Sequence, residues 1–115
     1  KNPYVYGRVL LDDNKQIVGI IEEADATAEQ KKIKLINSGI YCINKRILQG
    51  ALPKIKTNNN QEELYLTDLM AIGHKEQRKM GLMVSADEIQ ILGVNNCQDL
   101  EEADKIMKKR MRKIS

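Results

Sequence analysis

The chain has 115 residues, a formal net charge of +3, and 30% charged side chains with both signs interspersed. That suits one domain or part of one, with an ordinary mixed surface, and folding could bury roughly 65% of what the unfolded chain exposes. Its two isolated cysteines form no C-x-x-C, its apolar runs are too short to span a bilayer, and Trp and Phe are absent. These features argue against secretion and membrane insertion, point to a reducing cytoplasm, and leave an aliphatic core completed by Met and Tyr.

In chain order, Arg8-Val9-Leu10-Leu11 and Gln16 to Glu22 flank the polar Asp12-Asp13-Asn14-Lys15, which predicts a β-hairpin. Ala24 to Lys32 holds good helix formers, with Thr27 placed to cap a short helix and Gln30 three residues on. Lys34 to Asn44 reads as a strand with Gly39 inside it, a sign of close approach by a ligand or another backbone. Asn44 caps the next helix, which carries Ile47, Leu48, Ala51 and Leu52 on one face and ends near Pro53. After the polar loop 57–61, Thr67 opens a helix with Leu69, Met70 and Ile72 inward, closed by Gly81. Leu82-Met83-Val84 and Asp87 to Leu92 read as two further short strands, the second ending at Gly93. A final helix is predicted with Asn95 as cap, Gln98 three residues on, and Leu100, Ala103, Met107, Met111 and Ile114 as its apolar face. Strands alternating with helices predict an α/β layer.

Several residues admit both a plain and a functional reading. Gly7 can be a simple turn glycine. Glu22 can be a solvated charge at a strand end. Asn37 is out of place in a strand, and so marks either a bulge or turn or a ligand contact. Thr67 is most simply a helix cap, although a helix start also gathers N–H groups suited to a phosphate. Asn95 likewise reads as a cap. His74 has no partner motif. The basic residues Lys108, Lys109, Arg110, Arg112 and Lys113 complement a helix C-terminus, and no aromatic stacking set accompanies them to favour RNA.

Four segments taken together say more. They are Asn2-Pro3-Tyr4-Val5-Tyr6-Gly7-Arg8, Leu35-Ile36-Asn37-Ser38-Gly39-Ile40-Tyr41, Glu63-Leu64-Tyr65-Leu66-Thr67-Asp68 and Leu92-Gly93-Val94-Asn95-Asn96. In order and spacing they resemble the second half of the bacterial N-acetylglucosamine-1-phosphate uridylyltransferase domain, where the segments read N-P-x-G-Y-G-R, I-N-T-G-I-Y, E-Y-Y-L-T-D and G-V-N-N-R. The resemblance runs from Lys1 to about Arg112, and Asp25-Ala26-Thr27 matches that family's D-A-T. Val5 stands where the family has a glycine, and Ser38 replaces its Thr but keeps the hydroxyl. The family's Gly-rich triphosphate loop and its hexapeptide-repeat acetyltransferase domain have no counterpart in these residues.

The resemblance implies the C-terminal part of a nucleotide-diphospho-sugar transferase domain: α/β, Rossmann-like, a mixed sheet with helices, its nucleotide-binding half lying outside residues 1–115. It implies a reaction in which UTP and N-acetylglucosamine 1-phosphate give UDP-N-acetylglucosamine and pyrophosphate, feeding cell-wall and lipopolysaccharide synthesis. The substrate-binding residues it implies are Gly7, Glu22, Asn37, Tyr65, Thr67 and Asn95, with Asn95 also a ligand to Mg²⁺ shared with the other half. No complete catalytic set is expected here, so the segment alone is expected to be inactive. A homo-oligomer is expected, with no nucleic-acid partner. Two alternatives stay open: a related sugar-1-phosphate nucleotidyltransferase using another nucleotide or sugar, or a non-catalytic association module.

Overall fold

The computed structural model describes residues 6–91 and 93–112, which divide into two compact units, one ending at Met83 and the other starting at Val84. Asn2 to Val5 of the first motif, Leu92, Lys113 and Ile114 lie outside the described residues.

The first unit is built on the expected hairpin. Strands β1 (Arg8–Leu11) and β2 (Ile17–Ile21) pair antiparallel, with Arg8 opposite Ile21 and Leu10 opposite Gly19. The register slips between Leu10 and Leu11, a bulge that leads into the turn. There the Asp12 carboxylate accepts the N–H groups of Asn14 at 2.9 Å and Gln16 at 2.8 Å, and Lys15 adopts φ 60°. An Asp bonding its own turn is what this composition predicts.

The strand expected over Lys34 to Asn44 is reduced to one antiparallel bridge from Ile36 to Arg8. Val9 N–H donates to Leu35 O at 2.9 Å and Asn37 N–H to Gly7 O at 2.8 Å, so this stretch covers the free edge of β1 for two residues only. Gly39 then breaks the extended run with φ 75°. Its role is backbone torsion, since nothing lies within 4 Å of where a Cβ would stand. Of the mixed sheet expected, the described residues form only antiparallel pairings.

Local caps fall as expected around this sheet. Thr27 Oγ1 accepts Gln30 N–H and Gln30 Oε1 accepts Thr27 N–H, a reciprocal capping box ahead of the 3-10 turn Gln30–Lys32. Asn44 caps α1 (Lys45–Ala51), and Pro53 sits in the 3-10 turn Leu52–Lys54 that ends it. Only Ala51 of the expected apolar face is buried, while Ile47 and Leu52 remain exposed. Helix α2 (Asp68–Lys75) packs on β2. Leu69 is buried and Met70 and Ile72 are half-buried, as the spacing predicts. It stops well short of Gly81, because Gln77 takes φ 54° and its N–H turns back to His74 O. Among the described residues, Val9, Ile17, Ala51 and Leu69 are the buried apolar side chains of this core.

Among the described residues neither expected late strand forms. Leu82 to Val84 has no partner among the described residues, and Asp87 to Ile91 contains the 3-10 turn Glu88–Ile91. Asp87 directs that turn by accepting Ile89 N–H through Oδ1. In the second unit α3 (Cys97–Met111) is capped by Asn96, whose Oδ1 accepts Asp99 N–H at 2.9 Å, and not by Asn95. Asp99, rather than Gln98, completes the motif by accepting Asn95 N–H at 3.0 Å. Leu100, Met107 and Met111 stay exposed, so the expected packing face is uncovered.

Candidate functional site

The end of β2 gathers most of the residues singled out above. Gly7 is buried immediately before β1, opposite the point where β2 runs into Glu22. A Cβ on Gly7 would lie 3.0 Å from Glu22 Oε2 and 3.1 Å from Ile20 Cγ2, so the carboxylate rests directly against bare backbone. The other Glu22 oxygen, Oε1, accepts the Thr67 hydroxyl at 2.8 Å. Thr67 occupies the cap position of α2 but makes no capping bond with its side chain. Its buried hydroxyl is directed to the sheet instead. Glu22 O accepts the N–H groups of Asp25 and Ala26, both at 3.0 Å, which turns the chain sharply behind the carboxylate.

Asn37 is tied to the same place through its N–H bond to Gly7 O. Its Oδ1 accepts Gly39 N–H at 3.0 Å and the Tyr41 hydroxyl at 2.9 Å. The turn reading of Asn37 is therefore correct for the oxygen. Among the described residues the amide nitrogen has no partner. Burial pushes the Tyr41 hydroxyl above its ordinary value against the hydrogen bond to Asn37, and the nearby Glu22 charge adds to the rise.

Tyr65 approaches from the loop before α2. Its hydroxyl donates to Gln61 Oε1 at 2.7 Å. Burial raises its pKa first, and the charges of Asp25, Glu63 and Glu22 raise it further. The loop is latched by Asn60, whose N–H donates to Asp25 Oδ1 at 2.8 Å and whose amide donates to Ala24 O at 2.9 Å. Asp68, in the first turn of α2, is also held above its ordinary value, by burial and then by Glu22 and Asp25. This edge is thus rich in acceptors and negative charge. It can take several hydroxyl donors, and it opposes an anion at the start of α2.

Three contributors were not legible in the sequence: Tyr41, the Asn60–Asp25 latch, and Arg8. Arg8 is fully buried. It donates to Tyr6 O and, through Nη2, to Glu23 Oε2 at 2.7 Å. Tyr41 stands four residues after Asn37, the one spacing that could have flagged it.

Asn95 belongs to the second unit and is exposed there. With the cap taken by Asn96, its own side chain is not committed to the helix. No group of three or more His, Cys, Asp or Glu among the described residues could hold a metal ion. A neutral amide oxygen falls short of the one or two carboxylates plus phosphates that Mg²⁺ requires, so these residues alone do not compose its site. Cys42 and Cys97 are free and exposed. Among the described residues no helix is long and apolar enough to cross a membrane.

Fold and site together define a small α/β unit that ends its hairpin in a carboxylate held against the backbone of a glycine. Comparison with known proteins makes the kinship specific. The chain is 40% identical over 111 residues to the bifunctional protein GlmU of Alkaliphilus metalliredigens, 41% over 113 residues to that of Caldicellulosiruptor saccharolyticus, and 42% over 112 residues to that of Geotalea daltonii. These alignments take in 96%, 98% and 97% of this chain and 24% of each relative. The chain is a relative of the bifunctional GlmU proteins, spanning about a quarter of their length, and the resemblance read from its four motifs is borne out. No family model matches it.

Proposed function

We propose that this chain supplies the sugar-phosphate side of a uridylyltransferase that makes UDP-N-acetylglucosamine and pyrophosphate from UTP and N-acetylglucosamine 1-phosphate. The observation that carries the reading is the Glu22 carboxylate, held by Thr67 on one oxygen and packed against the Gly7 backbone on the other. A carboxylate fixed in this way offers its remaining lone pairs to sugar hydroxyls, and the absent side chain at Gly7 is what lets the carboxylate lie there. Asn37 donates from its amide nitrogen, and Tyr65 closes the side toward the loop. The negative charge of Glu22, Asp25 and Asp68 favours hydroxyls here and directs the phosphate away from this edge.

Uridylyl transfer needs positioning and charge neutralisation more than a nucleophilic side chain, because the sugar phosphate is itself the nucleophile. Residues 1–115 contain no G-x-G loop for a triphosphate. Asn95 is one oxygen donor to Mg²⁺ in this proposal, with the carboxylate donors supplied from elsewhere. The work of this chain is to hold and orient the sugar. The reaction belongs in the cytoplasm, and the protein carrying it out is a homo-oligomer.

Calorimetric titration with N-acetylglucosamine 1-phosphate tests the reading. The chain is expected to bind it, and Glu22→Ala is expected to cost on the order of 1.5–3 kcal/mol, the loss of hydrogen bonds to a charged group. Salt-sensitive binding of RNA with no sugar-phosphate affinity would favour the association module instead.

A further inference from the structure

The residues that directly follow Gly7 and Glu22 are joined to each other. Arg8 follows Gly7, Glu23 follows Glu22, and Arg8 Nη2 meets Glu23 Oε2 at 2.7 Å. The second Glu23 oxygen is held by Lys31 Nζ at 3.3 Å. The far side of the guanidinium binds Tyr6 O, on the residue before Gly7. One ionic chain therefore brackets Gly7 on both sides and fixes Glu23 at both oxygens.

Stability alone is a poor account of this arrangement. The Arg8 side chain is completely buried, and among the described residues its Nε has no hydrogen-bond partner. A charge taken out of water is costly, and an unpaired buried N–H adds to the cost. An apolar residue facing the same core would avoid both penalties. What the pair does supply is geometry. Glu22 Oε2 lies 3.0 Å from where a Gly7 Cβ would stand, so a small drift of either strand end would displace the carboxylate.

We propose that Arg8 and Glu23 are positioning residues, whose ion pair holds the Glu22 carboxylate in place against the Gly7 backbone and so fixes its direction toward the sugar hydroxyls. The proposal rests on the function assigned above, but its test has a readout that does not. The full chain, carbon-13 labelled at its glutamates, is compared by carboxyl NMR with Glu23→Gln, and both are titrated with N-acetylglucosamine 1-phosphate. Glu23→Gln keeps the shape and removes the charge. It is expected to shift the Glu22 carboxyl resonance and the Thr67 signals and to weaken sugar-phosphate binding about tenfold, with the hairpin amide pattern retained. A Glu22 resonance and an affinity within about twofold of the parent chain would overturn the proposal. If Glu23→Gln does not fold, Arg8→Lys keeps the buried charge but replaces the guanidinium fork, so that one ammonium cannot span Glu23 and Tyr6 O as Arg8 does. It is expected to move Glu22 in the same sense with about a threefold loss of affinity, and an unmoved Glu22 again overturns the proposal. Failure of the parent chain to bind the sugar phosphate would sink the assigned function, while the Glu22 resonance would still decide whether the pair positions it.

Discussion

A methyl group added at Gly7 would lie 3.0 Å from Glu22 Oε2 and 3.1 Å from Ile20 Cγ2. The first neighbour is the free end of a side chain and can swing away. The second sits on a strand and cannot. Gly7→Ala is therefore expected to cost about 1 kcal/mol of stability, at the lower end for an overpacked site. Its effect on sugar-phosphate affinity should be larger, tenfold or more on the order of a lost charge-assisted hydrogen bond, because the displaced group is the Glu22 carboxylate. Thermal melting and titration of the same sample separate the two effects, and a melting loss with unchanged affinity would remove Gly7 from the site. Asn95 and Asn96 allow a second comparison at this scale. Asn96→Ala deletes the acceptor for Asp99 N–H and is expected to cost α3 about 1 kcal/mol. Asn95→Ala keeps the backbone N–H that Asp99 accepts, so the helical carbon shifts of α3 should stay as they are. Loss of helix in Asn95→Ala would restore the cap to Asn95.

At the scale of elements, charge sets the response to pH. Burial tends to raise the Glu23 carboxyl, but the hydrogen bonds and charges of Lys31 and Arg8 outweigh it and hold the group below its ordinary 4.5. Its contribution is complete above pH 4.5 and is lost as pH falls through the lower folded value. Glu76 behaves in the same sense, lowered first by Lys54 and then by Arg78. Asp68 has the opposite sign. Raised above 3.8 by burial and by Glu22 and Asp25, it favours the fold when protonated and loses that contribution as pH rises through its folded value. Asp68→Asn is thus expected to raise the melting temperature at pH 7, with a smaller gain near pH 3.5. An equal shift at both pH values would mean that charge is not the cause. What could be read in advance follows the same division between local and distant forces. The hairpin turn at Asp12, the box at Thr27 and Gln30, and the cap at Asn44 depend on bonds within five residues, and each forms where the residue types predict. Two adjacent asparagines at 95 and 96 gave no local reason to choose the second, except Asp99 three residues after Asn96. Strands at 82–84 and 87–92 could not be settled locally, since a strand requires a partner that no run of apolar residues names. The motif register pointed to Gly7, Glu22, Asn37 and Thr67 as a group, and they do meet at one edge. The Arg8–Glu23 pair and the Asn60–Asp25 latch span 15 and 35 residues and depend on the fold itself.

For the whole molecule the informative contrast is between what is buried and what is not. Among the described residues the apolar core is Val9, Ile17, Ala51 and Leu69. Outside it, Ile40 is 74% exposed, Leu64 67% and Met83 94% in the first unit. In the second, Leu100, Met107 and Met111 line α3, which buries none of its residues. Each large aliphatic side chain left in water forgoes roughly 1.5–3 kcal/mol that burial would supply. The covering of β1 is also brief, since the segment beside it leaves the sheet after Asn37 and exposes Ile40 immediately beyond. A short, partly covered sheet edge next to exposed apolar groups favours pairing with a second copy, and a two-fold contact satisfies both copies without growing further. The chain is therefore expected to dimerise. Sedimentation velocity over a concentration series should show the weight-average mass rising toward twice that of one chain. Ile40→Lys, which places a charge at this edge, should move the rise to higher concentration. A single monomer boundary at high micromolar concentration would show that these apolar groups are tolerated in water and that the edge is closed without a partner.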